Sequence, residues 1–309
     1  MIDTHCHVQF NAYKDDADAV VKNCTERGII MNAVGTQIDT SRKAVEFAEK
    51  YENVYATIGL HPVHLFETHV DEEESSFNTR GEDFDYEAYK KLGQHPKVIA
   101  VGECGLELFH APEGIAKSVV LQKQKTIFLL QLKLADELGI PLAIHVRDAH
   151  DEMIELLRSF VIPTELQGER RNPLESTRRD SSTPLRSAQN DKKIRAVIHC
   201  YTGDWEHAQK YLDLGLHLGF TGVITFPARK TNPEAQANLL KVVEMCPEDR
   251  ILVETDSPYL APQSYRGQRA EPWMVAEVVK KIAEIRRQSV EDIAEITTNN
   301  AKRLFTRIK

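Results

Sequence analysis

Eight short apolar runs rich in β-branched residues recur along this 309-residue chain, and helical patterns separate them. The runs are Ile2–His7, Ile29–Gly35, Val54–Leu60, Val98–Glu103, Pro141–Val146, Ala196–Tyr201, Leu216–Gly222 and Ile251–Asp256. Between them lie amphipathic stretches at Asp16–Arg27, Asp39–Tyr51, Lys117–Leu138, Asp148–Phe160, Asp204–Leu214 and Pro233–Cys246. Parallel strands need a long crossover, so this alternation predicts an α/β parallel sheet with helices outside. Eight strands close a (β/α)8 TIM barrel, although a doubly wound open sheet also accommodates eight. After the last run, Glu271–Gln288 and Val290–Phe305 read as two closing helices.

Punctuation supports these boundaries. Gly28, Gly139 and Gly215 each follow a helical pattern and precede a strand, as helix C-caps do. Pro233 opens a helix, where its missing N–H costs little. Ser289 with Asp292 forms half of a capping box. A soft prior of about 150 residues per domain would split the chain, but α/β barrels run to about 250 residues as one unit. We therefore expect one domain over 1–309 with two insertions. The first, near 70–85, is acidic and without apolar period, and reads as an exposed loop. The second, 163–193, is rich in Arg, Ser and Pro; it joins a helix to a strand and so belongs on the N-terminal face of a barrel.

Composition narrows the class. A hydrophobic fraction of 41% supports a sizeable core, yet no apolar run approaches the roughly 18 residues of a membrane helix. The N-terminus lacks the basic and apolar regions of a secretory signal. Five cysteines without a CxxC pair fit reduced thiols, so the expected location is cytoplasmic. A net charge of −8 argues against coating nucleic acid through a broad basic surface, but leaves room for a phosphate held by bound cations.

The chemistry is concentrated at the strand ends. Alternation places Asp3, His5 and His7 on one face of the first strand, with the two imidazoles about 7 Å apart at roughly 3.3 Å per residue. That spacing can close on one metal ion. The third strand ends in His61, the fourth in Glu103, the fifth in His145, the sixth in His199 and the eighth in Asp256. All these positions converge on the C-terminal rim, where barrel active sites sit. Cys6, Cys104 and Cys200 flank these residues and by alternation face outward as packing groups. A donor set of imidazole and carboxylate suits Zn²⁺, Mn²⁺ or Fe²⁺, and Mg²⁺ least.

In order along the chain stand Asp3-Thr4-His5-Cys6-His7, Gly59-Leu60-His61-Pro62, Gly102-Glu103-Cys104-Gly105-Leu106, His145-Val146-Arg147-Asp148, His199-Cys200-Tyr201-Thr202-Gly203 and Glu254-Thr255-Asp256-Ser257-Pro258-Tyr259-Leu260. This ordered set resembles the TatD-related metal-dependent nucleases of the amidohydrolase superfamily. The resemblance implies two divalent metal ions, one held by His5, His7 and Asp256, the other by His145 and His199, with Glu103 bridging. It implies hydrolysis of phosphodiester bonds in DNA by an activated water, with RNA as a further substrate. A rim site favours single strands or free ends, since an unstacked nucleotide reaches it more easily.

Glu103 and Asp256 are then the expected catalytic carboxylates, Asp256 also as proton acceptor. His61 resembles the family's phosphate-contacting histidine, and Arg147 either clamps a phosphate or pairs with a carboxylate. The competing readings are an ester or amide hydrolase, such as an aminoacyl-tRNA deacylase, and a non-catalytic metal-binding protein. A membrane partner is not expected, and the sequence leaves the oligomeric state open, a monomer being compatible with it.

Departures from the family pattern are Glu107 where Asp is common, Leu108 before Phe109, and Arg269-Ala270-Glu271-Pro272 with Ala270 in place of Asn. We expect these to shape the rim or support the ligands. His64, His69, His95, His110, His150, His207 and His217 match no motif and read as ordinary.

Overall fold

The computed structural model describes residues 1–72, 75–161 and 194–309. The chain runs β1 (Ile2–Cys6), α1 (Ala17–Glu26), β2 (Ile30–Val34), α2 (Ile38–Lys50), β3 (Val54–Ile58), β4 (His69–Glu72), β5 (Ser75–Asn78) and α3 (Tyr86–Gly93). It continues with β6 (Val98–Glu107), α4 (Lys117–Leu138), β7 (Leu142–Arg147), α5 (His150–Val161), β8 (Ala196–Ile198) and α6 (Trp205–Asp213). The last elements are β9 (His217–Phe220), α7 (Pro233–Met245), β10 (Ile251–Val253), α8 (Val275–Arg286) and α9 (Val290–Leu304).

The main sheet has eight parallel strands in the order β1-β2-β3-β6-β7-β8-β9-β10. They form a nearly closed (β/α)8 barrel, as the alternation predicts. Where the first and last strands meet, Asp256 N donates to His5 O at 2.9 Å and His7 N to Ser257 O at 2.7 Å. Thr4 Oγ1 donates to Val253 O across the same seam at 3.0 Å.

Two apolar layers fill the molecule. The larger lies between strands and helices and includes Val21, Met31, Ile58, Leu106, Ile144, Leu218 and Val278. The smaller gathers the strand starts, Ile2, Tyr55, Ile99, Val197 and Leu252, with Leu304, Phe305 and Ile308 at the end of the chain. Each such large side chain contributes about 1.5–3 kcal/mol on burial. The end of α9 thus plugs the N-terminal mouth, and Arg307 Nη1 fastens it by donating to Val98 O at 2.6 Å. The opposite mouth is left for chemistry.

Caps follow the sequence closely. Ser289 accepts from Asp292 N at the start of α9, and Asn232 accepts from Ala235 N ahead of Pro233 in α7. Gly139 closes α4 at φ +64°, a conformation that suits a residue without Cβ.

The structure differs from the expectation at four places. Where a plain loop was expected near 70–85, β4 and β5 pair antiparallel, with His69 opposite Asn78. A two-stranded ladder of main-chain bonds needs no apolar period, so composition did not reveal it. Helix α3, capped by Asp85 through Ala88 N at 3.1 Å, fills the gap before β6 and buries Tyr89. Strand β6 extends past Glu103 to Glu107, which pairs with Arg147. Strands β8 and β10 stop at Ile198 and Val253, short of the expected ends, and left-handed backbone follows at Cys200 (φ +45°) and Asp256 (φ +60°). The expected 163–193 insertion lies outside the described residues. No helix among the described residues is long and apolar enough to cross a membrane.

Candidate metal centre

Glu103 stands at the centre of the C-terminal rim, and its two oxygens face different histidines. Oε2 lies 3.4 Å from His5 Nε2 and 4.0 Å from His7 Nε2. Oε1 lies 3.0 Å from His145 Nδ1, 3.4 Å from His61 Nε2 and 3.9 Å from His199 Nε2. Asp256 Oδ1 completes the ring, 3.3 Å from His7 Nε2, 3.6 Å from His199 Nε2 and 3.8 Å from His5 Nε2. Burial alone would push the Glu103 carboxyl up, but His61, His145 and His5 outweigh it and hold the group well below the usual range. Asp256 is likewise lowered, burial being overcome by His199 and His7.

The other nitrogen of each ring sets what the ring offers the centre. His7 Nδ1 lies 2.7 Å from Val34 O, which fixes its hydrogen there and turns a lone pair at Nε2 inward. His145 Nε2 lies 2.9 Å from Glu107 Oε2, and His199 Nδ1 lies 2.8 Å from Glu254 Oε1. Such carboxylates orient a ligating histidine and raise its basicity. Burial disfavours charge on both rings, yet Glu103 and Glu107 take His145 up to about 10, and Glu254 and Asp256 take His199 up to about 9. His5 Nε2 is buried with no hydrogen-bond partner of good geometry. His61 is the exception: its Nδ1 accepts from Val63 N at 3.2 Å, so its hydrogen sits on Nε2 and points into the centre. His7 therefore presents an acceptor to the centre and His61 a donor.

Three donor atoms within 4.8 Å of one another occur in His5/His7/Asp256, in His5/Glu103/His199, in His61/Glu103/His145 and in His199/Cys200/Asp256. An orphaned imidazole nitrogen, converging lone pairs and two ionised carboxylates fit divalent cations.

One expectation needs correction. Cys200 does not face outward between barrel and helices. Alternation requires extended backbone, and the φ of +45° at Cys200 turns its half-buried thiol toward Thr221 Oγ1, 3.4 Å away, and into reach of Asp256. Arg147, expected to clamp a phosphate or pair with a carboxylate, lays its guanidinium over the Phe109 ring, Cζ 3.9 Å from the centroid. Cys6 and Cys104 are buried as predicted.

Two carboxylates support the ring of ligands: Glu254, which strand-end reading did not assign, and Glu107, which the sequence placed at the rim or in support of the ligands. Glu254 is buried, accepts from Cys200 N at 2.5 Å and from Thr4 Oγ1 at 3.3 Å, and occupies space left by Gly219, where a Cβ would lie 2.5 Å from Glu254 Oε1. Its position two residues before Asp256 was the available signal. Glu107 lies four residues beyond Glu103 on the same face and accepts from Phe109 N at 2.7 Å and His110 N at 3.1 Å. Of the histidines read as ordinary, His110 packs its Nδ1 3.7 Å from Glu107 and His64 lies edge-on to His61.

A barrel with imidazoles and carboxylates gathered at its C-terminal rim has the make-up of a metal-dependent hydrolase. The chain belongs to the TatD related DNase family, whose model matches residues 2–306. It is 32% identical to the "Uncharacterized metal-dependent hydrolase YabD" of Bacillus subtilis, covering 99% of this chain and 98% of that one. It is 28% identical to the "3'-5' ssDNA/RNA exonuclease TatD" of Musicola paradisiaca, covering 99% and 97%. Among solved structures, the TatD homolog YJJV of Escherichia coli superposes with a TM-score of 0.74 at 26% identity, over 99% of this chain and 98% of that one.

Proposed function

We propose that this protein hydrolyses phosphodiester bonds of single-stranded DNA, and of RNA as a second substrate, from free ends with two divalent cations at the rim. The observation that carries the reading is the division of the Glu103 oxygens, Oε2 toward His5 and His7, Oε1 toward His145 and His199. A carboxylate so placed can bridge two cations. His5, His7 and Asp256 would hold one ion and His145 and His199 the other. When bound, such a pair brings a water to a pKa of about 7 and neutralises charge on the phosphate oxygens.

The chain's own residues do the rest. Asp256, held ionised by His199 and His7, is the more exposed of the two central carboxylates, at 17% against 6% for Glu103. It accepts the proton of the attacking water. The Nε2–H of His61 donates to a non-bridging phosphate oxygen and so orients phosphorus. Glu107 and Glu254 keep the His145 and His199 rings turned inward. Relatives named as single-strand exonucleases support the substrate class.

The test is cleavage of end-labelled single-stranded DNA and RNA with Mn²⁺, Mg²⁺ or Zn²⁺, beside Glu103→Ala. Cleavage by the wild type alone is expected. An inactive wild type across these metals overturns the reading.

A further inference from the structure

We propose that Phe109 and Arg147 form a stacking platform for an unpaired base of the substrate strand, beside the centre that cleaves it; this rests on the phosphodiesterase reading above. Phe109 is 57% exposed, while its neighbour Leu108 is 8% exposed and packed in the core. Single exposed apolar residues are ordinary, but this one is held in place from three sides. Its backbone N–H donates to Glu107 Oε1 at 2.7 Å, the carboxylate whose other oxygen orients His145. Leu108 N donates to Arg147 O at 3.0 Å, so the segment is tied to the end of β7. The Arg147 guanidinium lies over the ring with Cζ 3.9 Å from its centroid, and the His110 ring meets it edge-on with centroids 4.7 Å apart.

The cation covers the Phe109 ring and leaves substantial apolar area open at the rim. An aromatic surface already ordered by an arginine costs little further entropy when a base stacks on it. Such stacking tolerates any base, because each has a π-face. It also requires that the base be unpaired, which a duplex interior does not allow. The platform hangs from β6 and β7, the strands that carry Glu103 and His145, so a phosphate at the centre and a neighbouring base at Phe109 belong to one strand. Phe109 is thus a specificity-determining contact for single strands. It takes no part in the bond-breaking step.

The experiment compares wild type, Phe109→Ala and Phe109→Trp on two labelled single strands. One is ordinary DNA; the other carries abasic tetrahydrofuran residues at the three terminal positions of both ends. Phe109→Ala is expected to raise KM for the ordinary strand roughly tenfold with kcat retained, and Phe109→Trp to keep the wild-type KM. The abasic strand should show the raised KM already with the wild type and be indifferent to both substitutions. Equal losses on both strands, or no loss on either, overturn the platform while leaving the hydrolase reading standing. A wild type that cleaves neither strand overturns both.

Discussion

The Asp3 carboxylate accepts from both the backbone N–H and the hydroxyl of Thr255, at 2.9 and 2.6 Å, and so joins the first strand of the barrel to the last. Its Oδ1 also accepts from His5 N at 3.3 Å. Asp3 is fully buried, and burial raises its pKa well above the usual carboxylate range in spite of the Thr255 bonds. Removing the side chain would orphan two donors inside the seam. Asp3→Ala should lose about 2–4 kcal/mol in urea unfolding. Asp3→Asn, which keeps an acceptor oxygen, should lose less.

Glu103 faces donors on both sides, so its loss should remove both cations together. Isothermal titration of Glu103→Ala with Mn²⁺ or Zn²⁺ should show binding weakened for the whole site, and activity should fall on the order of a thousandfold or more. One ion bound with unchanged affinity would contradict a bridging role.

Glu254→Gln and Glu107→Gln test the outer carboxylates separately. Each keeps the shape of its side chain but removes the charge that orients His199 or His145. Each should weaken metal binding or activity by about 10–100-fold, with the fold intact by circular dichroism.

His217 gives a pH dependence away from the centre. Its ring is buried, Nδ1 has no hydrogen-bond partner, and burial followed by the nearby Arg250 pushes its pKa down to about 4. The neutral ring is favoured in the folded protein, so its contribution is complete above the unfolded pKa of about 6.5 and is lost as pH falls through about 4. Wild type should lose up to about 3 kcal/mol over that window relative to His217→Gln. Parallel stability curves for the two proteins between pH 7 and 4 would refute the assignment.

Much of the centre was legible because strand ends in a parallel barrel share one rim. His5, His7, Glu103, His145, His199 and Asp256 could be picked out by residue type at those ends, and the structure brings them together with His61. What escaped depended on backbone that departs from regular extension. Cys200 was placed outward on the assumption of a continuing strand, which its left-handed φ ends. Glu107 was legible as a rim or supporting residue, but its pairing with His145 rests on β6 running four residues past Glu103. The Arg147–Phe109 contact brings together the ends of β6 and β7, and strand pairing alone does not say which way a long side chain leans. The hairpin of β4 and β5 rests on main-chain pairing, to which composition is blind.

The seam between β1 and β10 also makes the donor set depend on closure of the barrel. Asp3 and Thr255, hydrogen-bonded to each other, stand 252 residues apart in sequence, and His5 and His7 meet Asp256 across a comparable stretch of chain. A fragment without the last strand would hold no complete donor set, so the centre is a property of the closed ring and of no single segment.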